Sequence, residues 1–275
     1  MVGIIGYPID YTLSPAIHNA AFCSLEMNWL YIPMRVIPNQ LESALAGFRA
    51  LGFRGANVTI PHKMAASDLV DELRGDAQLL QAVNTISCVD GALLGFNTDS
   101  KGFEAFMLEA GIDVENRLVT VLGAGGAARG VVLAVARQGA ARVFVMNRTS
   151  DRTLELKALL KRAICDSEIS ERTFDNEGAR VINESDLIIN CTPLGKRHED
   201  MPPIDVEDFH QGQWVVDLKY RETGLLLREA AARGAGTAGG EGMLLHQAAA
   251  SFEIWTGRPA PLEAMREAIE QEMTS

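Results

Sequence analysis

The alternation of short apolar runs with longer helical ones constrains this 275-residue chain most. "VGIIG", "WLYIPMRV" and "GANVTI" read as strands, and "SPAIHNAAFCSL", "QLESALAGFRAL" and "HKMAASDLVDEL" as the helices between them. "NTISCVDGALLGFN" reads as two short strands around an Asp90-Gly91 turn, followed by a helix from about Asp99 to Ala110. The polar, turn-rich "GIDVEN" at 111–116 interrupts the series. A second begins with the strand "LVTVLG" and continues through "GAARGVVLAVARQG", "ARVFVMN", "DRTLELKALLKRA", "DLIINC" and "WVVDL". Such βαβ alternation implies mostly parallel sheets covered by helices. Two α/β domains are expected, over 1–100 and 101–240. The last helical segments, 241–275, outrun the second series and are expected to pack back on the first domain.

Apolar content of 47% and charged content of 22% fit a soluble globular protein. A net charge of -11 argues against nucleic acid as the main ligand, but not against a small anion bound at a local positive site. No apolar stretch is long enough to span a membrane, and "MVGIIGYPID" reads as a strand and turn rather than a signal peptide. Cys23, Cys88, Cys165 and Cys191 lie far apart with no C-x-x-C, so reduced thiols and a cytoplasmic setting are expected. The five histidines show no ligand spacing, so no metal site is expected.

"LVTVLGAGGAARG" carries the pattern G-x-G-x-x-A in Gly123, Gly125 and Ala128, with Ala124, Gly126 and Ala127 completing the turn. It follows an apolar strand and opens a helix, as a dinucleotide site requires. Gly123 permits the tight turn, and Gly125 lets the backbone approach a pyrophosphate at the helix N-terminus. An isolated match of this kind is weak, since a strand–helix turn needs no ligand to be glycine-rich. The end of the next strand discriminates further. Where an NAD site places an acid for the ribose 2′-hydroxyl, this chain has Asn147, Arg148 and Thr149, with Arg152 close behind. Guanidinium groups bind a 2′-phosphate that an acid would repel, so the reading is NADP(H). The bland alternative is a pair of solvated charges at a helix start.

In "GANVTIPHKM", Pro61 is read as the first residue of a helix, which places Lys63 in the first turn. A cation is disfavoured there by the helix dipole. In "GYPIDYTLSPAIHN", Ser14 reads as an N-cap before Pro15; with Thr12 it offers two hydroxyls beside exposed helix N–H groups, a good carboxylate receptor. "AVNT" and "GFNTDSKG" place Asn84, Asn97 and Asp99 at strand ends. Each alone is an ordinary turn or cap residue. Together with Lys63, on successive strand exits, they would surround one crevice. Residues 196–210, "KRHEDMPPIDVEDFH", read as a mobile loop.

"GYPIDYTLSPAIHN", "GANVTIPHK", "AVNT", "GFNTD", "GAGGAARG", "NRT", "NCTPLG" and "GMLLHQAAASFEIWTG" occur in an order and over a span that resemble the shikimate dehydrogenases. The resemblance implies an N-terminal substrate domain, a C-terminal Rossmann-type NADP-binding domain, and reversible reduction of 3-dehydroshikimate to shikimate. It also implies that Lys63 is the catalytic lysine and Asp99 its partner. Thr12 and Ser14 would hold the substrate carboxylate, and Thr59, Asn84, Tyr220 and Gln247 would make further substrate contacts. Leu218 and Gly240 join the cofactor set, Gly240 lying where the backbone nears the nicotinamide. The sequence departs from the family pattern in "YTLSP", where a threonine replaces a serine, and in "KRHED" after "TPLG". Alternatives are a quinate/shikimate dehydrogenase with relaxed cofactor use, and a non-catalytic sensor of the pathway's metabolites. Shikimate or 3-dehydroshikimate is the expected small-molecule partner, with no nucleic acid or membrane, in a monomer or homodimer.

Overall fold

Val2–Gly6 (β1) is buried at every residue, as a continuous apolar strand inside a covered parallel sheet should be. The computed structural model that contains it describes residues 1–161, 167–174, 176–195, 198–220 and 224–274. The chain divides into two compact units, residues 1–102 with 244–275, and residues 103–243.

In the first unit, β1 is followed by α1 (Ser14–Ser24), β2 (Tyr31–Arg35), α2 (Leu41–Ala50), β3 (Gly55–Val58), α3 (Lys63–Ser67), β4 (Glu72–Leu73), α4 (Asp76–Leu80), β5 (Thr85–Val89) and β6 (Ala92–Phe96), after which α5 (Asp99–Ala110) starts in this unit and passes into the second at Phe103. Among the described residues these strands form one six-stranded sheet, ordered β2-β1-β3-β5-β6-β4. Only β5 runs against its neighbours, pairing antiparallel with both β3 and β6. The β5–β6 hairpin turns at Asp90 and Gly91, both with positive φ, the conformation that two-residue hairpin loops demand. Phe48, Phe53, Ala56, Val58, Ile86 and Leu93 belong to the core packed against this sheet.

The second unit contains β7 (Leu118–Leu122), α6 (Gly126–Arg137), β8 (Arg142–Met146), α7 (Ser150–Leu160), β9 (Glu168–Arg172), α8 (Asn176–Glu184), β10 (Leu187–Asn190), β11 (Trp214–Asp217), α9 (Leu225–Ala232) and β12 (Gly236–Ala238). Its six described strands run in the order β12-β11-β10-β7-β8-β9, with every pair parallel. The order reverses between β7 and β10, where ligands bind in doubly wound sheets. The chain re-enters the first unit within α10 (Glu241–Thr256), and α11 (Leu262–Thr274) packs along α1.

Several local expectations need correction. Pro61 does not open a helix: α3 begins at Lys63 and ends after five residues. The His62 N–H closes a turn onto the Thr59 carbonyl (2.9 Å) first. Beyond Asp68 the chain is drawn to the sheet edge, where the Asp71 N–H bonds the Leu93 carbonyl (2.9 Å), so "DLVDEL" is no helix. Ser14 is the first helical residue of α1 rather than its cap. Leu13 holds the cap position, because its carbonyl accepts from the Ile17 N–H (3.2 Å). The segment expected as a mobile loop, 196–210, contains two short 3-10 turns, His198–Asp200 and Val206–Asp208, and buries Phe209; 196–197 lie outside the described residues. So do Cys165 and the expected last turn of α7 at 162–163, while Cys23, Cys88 and Cys191 are thiols.

Candidate active site

The first unit gathers polar side chains at one edge of its sheet, where β1, β3 and β6 end. Asn84 was expected on a strand exit. It stands instead at the entrance to β5, and reaches the same edge because that strand is reversed. Lys63 Nζ donates to Asp99 Oδ2 at 2.6 Å, with side-chain exposures of 15% and 4%. Asn84 Nδ2 donates to the other carboxylate oxygen, Asp99 Oδ1, at 2.9 Å. The Asp99 N–H is taken by Asn97 Oδ1 (3.0 Å), which fixes the start of α5.

The direction of the Asn84 amide follows from its other partners. The Thr98 backbone N–H can only donate, and it lies 2.8 Å from Asn84 Oδ1. The amide nitrogen must therefore face Asp99. Gln247, on α10, brings Oε1 to 3.5 Å from Asn84 Nδ2 and donates its own amide to the Leu244 carbonyl (3.0 Å). Thr98 Oγ1 donates to the Gln247 carbonyl (3.0 Å), and α5 and α10 meet closely at Gly102, where a Cβ would press on the Gln247 backbone.

Thr12 and Ser14 sit together at the start of α1. Thr12 Oγ1 lies 3.2 Å from Ser14 Oγ and accepts from the Ser14 N–H (3.3 Å). Thr59 follows β3, and its methyl fills the space that a Cβ on Gly6 would need. The structure thus joins Lys63, Asp99, Asn84 and Gln247 in one hydrogen-bonded set and Thr12 with Ser14 in another, both in the first unit.

In the second unit Gly123 ends β7 with φ +101°, a conformation that favours glycine. Gly125 occupies the N-cap of α6 without a side-chain cap, and a Cβ built on it meets nothing within 4 Å. Ala124, Gly126 and Ala127 complete this turn, and Ala128 is fully buried where the helix meets the sheet. An open, uncapped turn at the reversal point fits a pyrophosphate. At the end of β8, Asn147 Nδ2 donates to the Thr149 carbonyl (2.8 Å), while Arg148 and Arg152 are exposed. The four residues that follow β8 directly, 147–150, include no acid, though Glu171 on the neighbouring strand does face this end. A groove there is lined by Asn147, Ser150, Thr153, Glu171, Arg172 and Thr173, and the Arg172 guanidinium lies 4.6 Å from the Phe144 ring centroid. Arg172 carried no sequence signal, because it closes a polar edge strand.

Tyr220, half-buried, follows β11. Leu218 donates its N–H to the Asn190 carbonyl (3.1 Å), and Gly240 donates to the Lys219 carbonyl (3.0 Å). The Leu218 backbone leaves no room for a Cβ at Gly240, so packing alone demands this glycine. Beside them is an ion pair that sequence reading missed: Lys219 Nζ and Asp217 Oδ2, 2.8 Å apart. Burial pushes the Asp217 carboxyl up, and Lys219 offsets part of the rise. Glu241 is raised too, by burial first and then by the Asp217 charge.

Comparison with known proteins covers most of the chain. Residues 4–86 match the model of the shikimate dehydrogenase substrate binding domain, 107–199 that of shikimate / quinate 5-dehydrogenase, and 240–270 that of the shikimate 5'-dehydrogenase C-terminal domain. The shikimate dehydrogenase (NADP(+)) of Methanopyrus kandleri is 43% identical over 273 residues, 98% of this chain and 94% of that protein. The crystal structure of shikimate 5-dehydrogenase from Thermus thermophilus with NADP(H) and shikimate superposes with a TM-score of 0.86 at 35% identity, covering 98% of each chain. Quinate dehydrogenase from Corynebacterium glutamicum in complex with NAD has a TM-score of 0.89 at 29% identity, again covering 98% of each chain.

Proposed function

The chain belongs to the shikimate dehydrogenase family, and from that premise we propose that it catalyses the reversible NADPH-dependent reduction of 3-dehydroshikimate to shikimate, a step toward chorismate and the aromatic amino acids. The observation that carries the reading is the Lys63–Asp99–Asn84 set, an ammonium held at 2.6 Å by a buried carboxylate whose second oxygen is itself held.

When bound, NADPH supplies the hydride to the ring carbonyl carbon. The oxygen formed there needs a proton. In this reading Lys63 Nζ delivers it, and in the reverse direction takes it back. Asp99 Oδ2 keeps the ammonium in place, and Asn84 keeps Asp99 from rotating away. Thr12 and Ser14 receive the substrate carboxylate, while Thr59, Asn84, Gln247 and Tyr220 meet the rest of the ring. The turn Gly123–Ala127 and the α6 N-terminus take the pyrophosphate. Asn147, Arg148, Thr149 and Arg152 take the 2′-phosphate end, and the backbone at Leu218 and Gly240 flanks the nicotinamide. We read the protein as a cytoplasmic monomer or homodimer without nucleic-acid or membrane partners. Among the described residues no helix is long and apolar enough to cross a membrane.

A turnover assay with shikimate and NADP, run in parallel with quinate and with NAD, tests the proposal. NADP-linked oxidation of shikimate is expected. Equal rates with quinate and NAD would replace it with the relaxed-specificity reading, and metabolite binding without turnover would replace it with a sensor.

A further inference from the structure

Behind Asn84, on the side away from Asp99, lies a cluster of buried hydroxyls and amides that the reaction does not use directly. Asn57 is 5% exposed, and Thr85 and Ser251 are fully buried. Thr85 Oγ1 donates to Asn84 Oδ1 (2.9 Å), the same atom that accepts from the Thr98 N–H. Asn57 Nδ2 lies 3.1 Å from Thr85 Oγ1, 3.0 Å from Ser251 Oγ and 3.1 Å from the Asn84 backbone carbonyl. A carbonyl can only accept, so this nitrogen is the donor, and Asn57 Oδ1 is left to accept from the Tyr31 hydroxyl (2.7 Å). Ser251 Oγ lies 2.8 Å from Thr85 Oγ1 and 2.9 Å from the Gln247 carbonyl one turn earlier on α10.

The proton inventory gives this cluster a direction. Thr85 has one hydroxyl proton. Asn84 Oδ1 and the Gln247 carbonyl can only accept, so the Thr85 proton goes to the first and the Ser251 proton to the second, which leaves the Thr85–Ser251 contact without a proton of its own; both hydroxyl oxygens are faced instead by the Asn57 Nδ2 donor. Were the Asn84 amide to turn over, its nitrogen would face the Thr98 N–H and its oxygen would face the Asp99 carboxylate.

We propose that Thr85, as a second donor to Asn84 Oδ1, and Ser251, by holding the Asn57 amide and the α10 backbone against Thr85, are positioning residues, which keep the Asn84 amide in the polarity that the Thr98 N–H sets and through it the orientation of the Asp99 carboxylate toward Lys63. The inference rests on the reading of Lys63 and Asp99 as the proton-handling pair. Thr85 and Ser251 touch neither of them. Their effect passes through Asn84.

Three variants test it: Thr85→Val, which keeps shape and removes the hydroxyl; Thr85→Ser, which keeps the hydroxyl; and Ser251→Ala. Thr85→Val should lower kcat for shikimate oxidation between tenfold and ~10²-fold, the scale of a small misplacement at the reacting groups. Its Kd for NADP should be unchanged, and Thr85→Ser should stay within about twofold of the parent, since the second donor to the amide oxygen is retained. A second readout needs no substrate. The rate at which an amine-selective acylating reagent modifies Lys63, followed by peptide mass spectrometry, should rise about threefold or more in Thr85→Val, as for an ammonium that loses a carboxylate partner. It should not rise in Thr85→Ser. A merely structural hydroxyl would lower thermal stability and leave both readouts alone. Parent-like kcat and parent-like Lys63 labelling in a Thr85→Val protein that binds NADP overturns the inference. Should Thr85→Val fail to fold, Ser251→Ala carries the same two readouts with the same outcomes. If the parent enzyme does not turn over shikimate, the functional reading falls and Lys63 labelling alone decides the positioning claim.

Discussion

Among the described residues there are two buried lysine–aspartate pairs, one in each unit, and their dimensions nearly coincide: 2.6 Å for Lys63–Asp99 and 2.8 Å for Lys219–Asp217. Their surroundings differ. Lys219 also donates to the Leu194 carbonyl, and Asp217 Oδ1 accepts from the Lys219 N–H (3.2 Å) and from Asn190 Nδ2 (3.3 Å). The second pair is thus a staple between the segments that follow β10 and β11. In the first pair the two residues come from different strand ends, 36 positions apart, and Asp99 is the one hydrogen-bond partner of Lys63 Nζ among the described residues. A buried ion pair is therefore no mark of chemistry in itself. A cation with donors to spare, held by an anion whose other oxygen is occupied, is a different object from one whose donors are shared with the backbone.

The most direct way to break this comparison is to truncate both lysines. Lys63→Ala should cut turnover by ~10²–10⁴, the usual contribution of a general acid/base, beyond whatever stability is lost by leaving the buried Asp99 without its ammonium. Lys219→Ala should differ in turnover rather than in kind of stability loss, costing about 3–5 kcal/mol by leaving Asp217 buried without its partner. Turnover per folded molecule should survive. Steady-state kinetics beside denaturant titration checks both, and a Lys219→Ala enzyme that is stable but inactive would erase the distinction.

Acid should separate the units next. His18 in the first unit is fully buried, stacked on Tyr31 with ring centroids 4.4 Å apart, and neither ring nitrogen has a hydrogen-bond partner among the described residues. Burial lowers it to about 3, with nearby Asn57 opposing only in part. Between pH 6.5 and 3 the unfolded chain binds a proton that the folded one refuses, so stability is lost as pH falls, roughly 3 kcal/mol by pH 4. In the second unit Asp217 and Glu241 are raised, so their contribution is present at low pH and lost as pH rises through their folded values. Hydrogen exchange across this range should show the first unit opening at higher pH than the second. The opposite order would sink the prediction.

Two smaller effects sharpen the division of labour. Arg148→Ala should raise the KM for NADP and spare that for NAD, by about 1.5–3 kcal/mol for a charge-assisted contact; equal shifts for the two cofactors would remove Arg148 from the 2′-phosphate. Thr12→Val should weaken shikimate binding by about 1–3 kcal/mol through the lost hydroxyl. Calorimetry showing parent-like affinity would place the carboxylate elsewhere.

Much of this was legible in the chain, for identifiable reasons. The strands of both sheets that are apolar throughout announce themselves by composition, and the Arg148 position is readable because the glycine loop counts out where an acid would stand. What could not be read depends on tertiary competition. "MAASDLVDEL" continues a helical pattern, but pairing with β6 takes Asp71 out of the helix. The place of Asn84 depended on the reversal of β5. Asn57 had a signal, a lone amide inside a buried strand, yet its partner Ser251 lies 194 positions away. β9, "EISER", is an edge strand with polar residues that conceal it, and β4 is only two residues long. Nothing in "DLKY" distinguishes a buried staple from two surface charges.

The first unit's interruption has a temporal side. Residues 103–243 form an uninterrupted stretch that can complete its own sheet while the ribosome is still adding chain. The unit that opens the chain cannot. Gln247, Ser251 and the helix that lies along α1 emerge only after the whole of 103–243, so Asn84 and Asp99 wait through its synthesis for the segment that closes around them. A nascent chain arrested before α10 should be able to hold a dinucleotide well before it can hold a substrate.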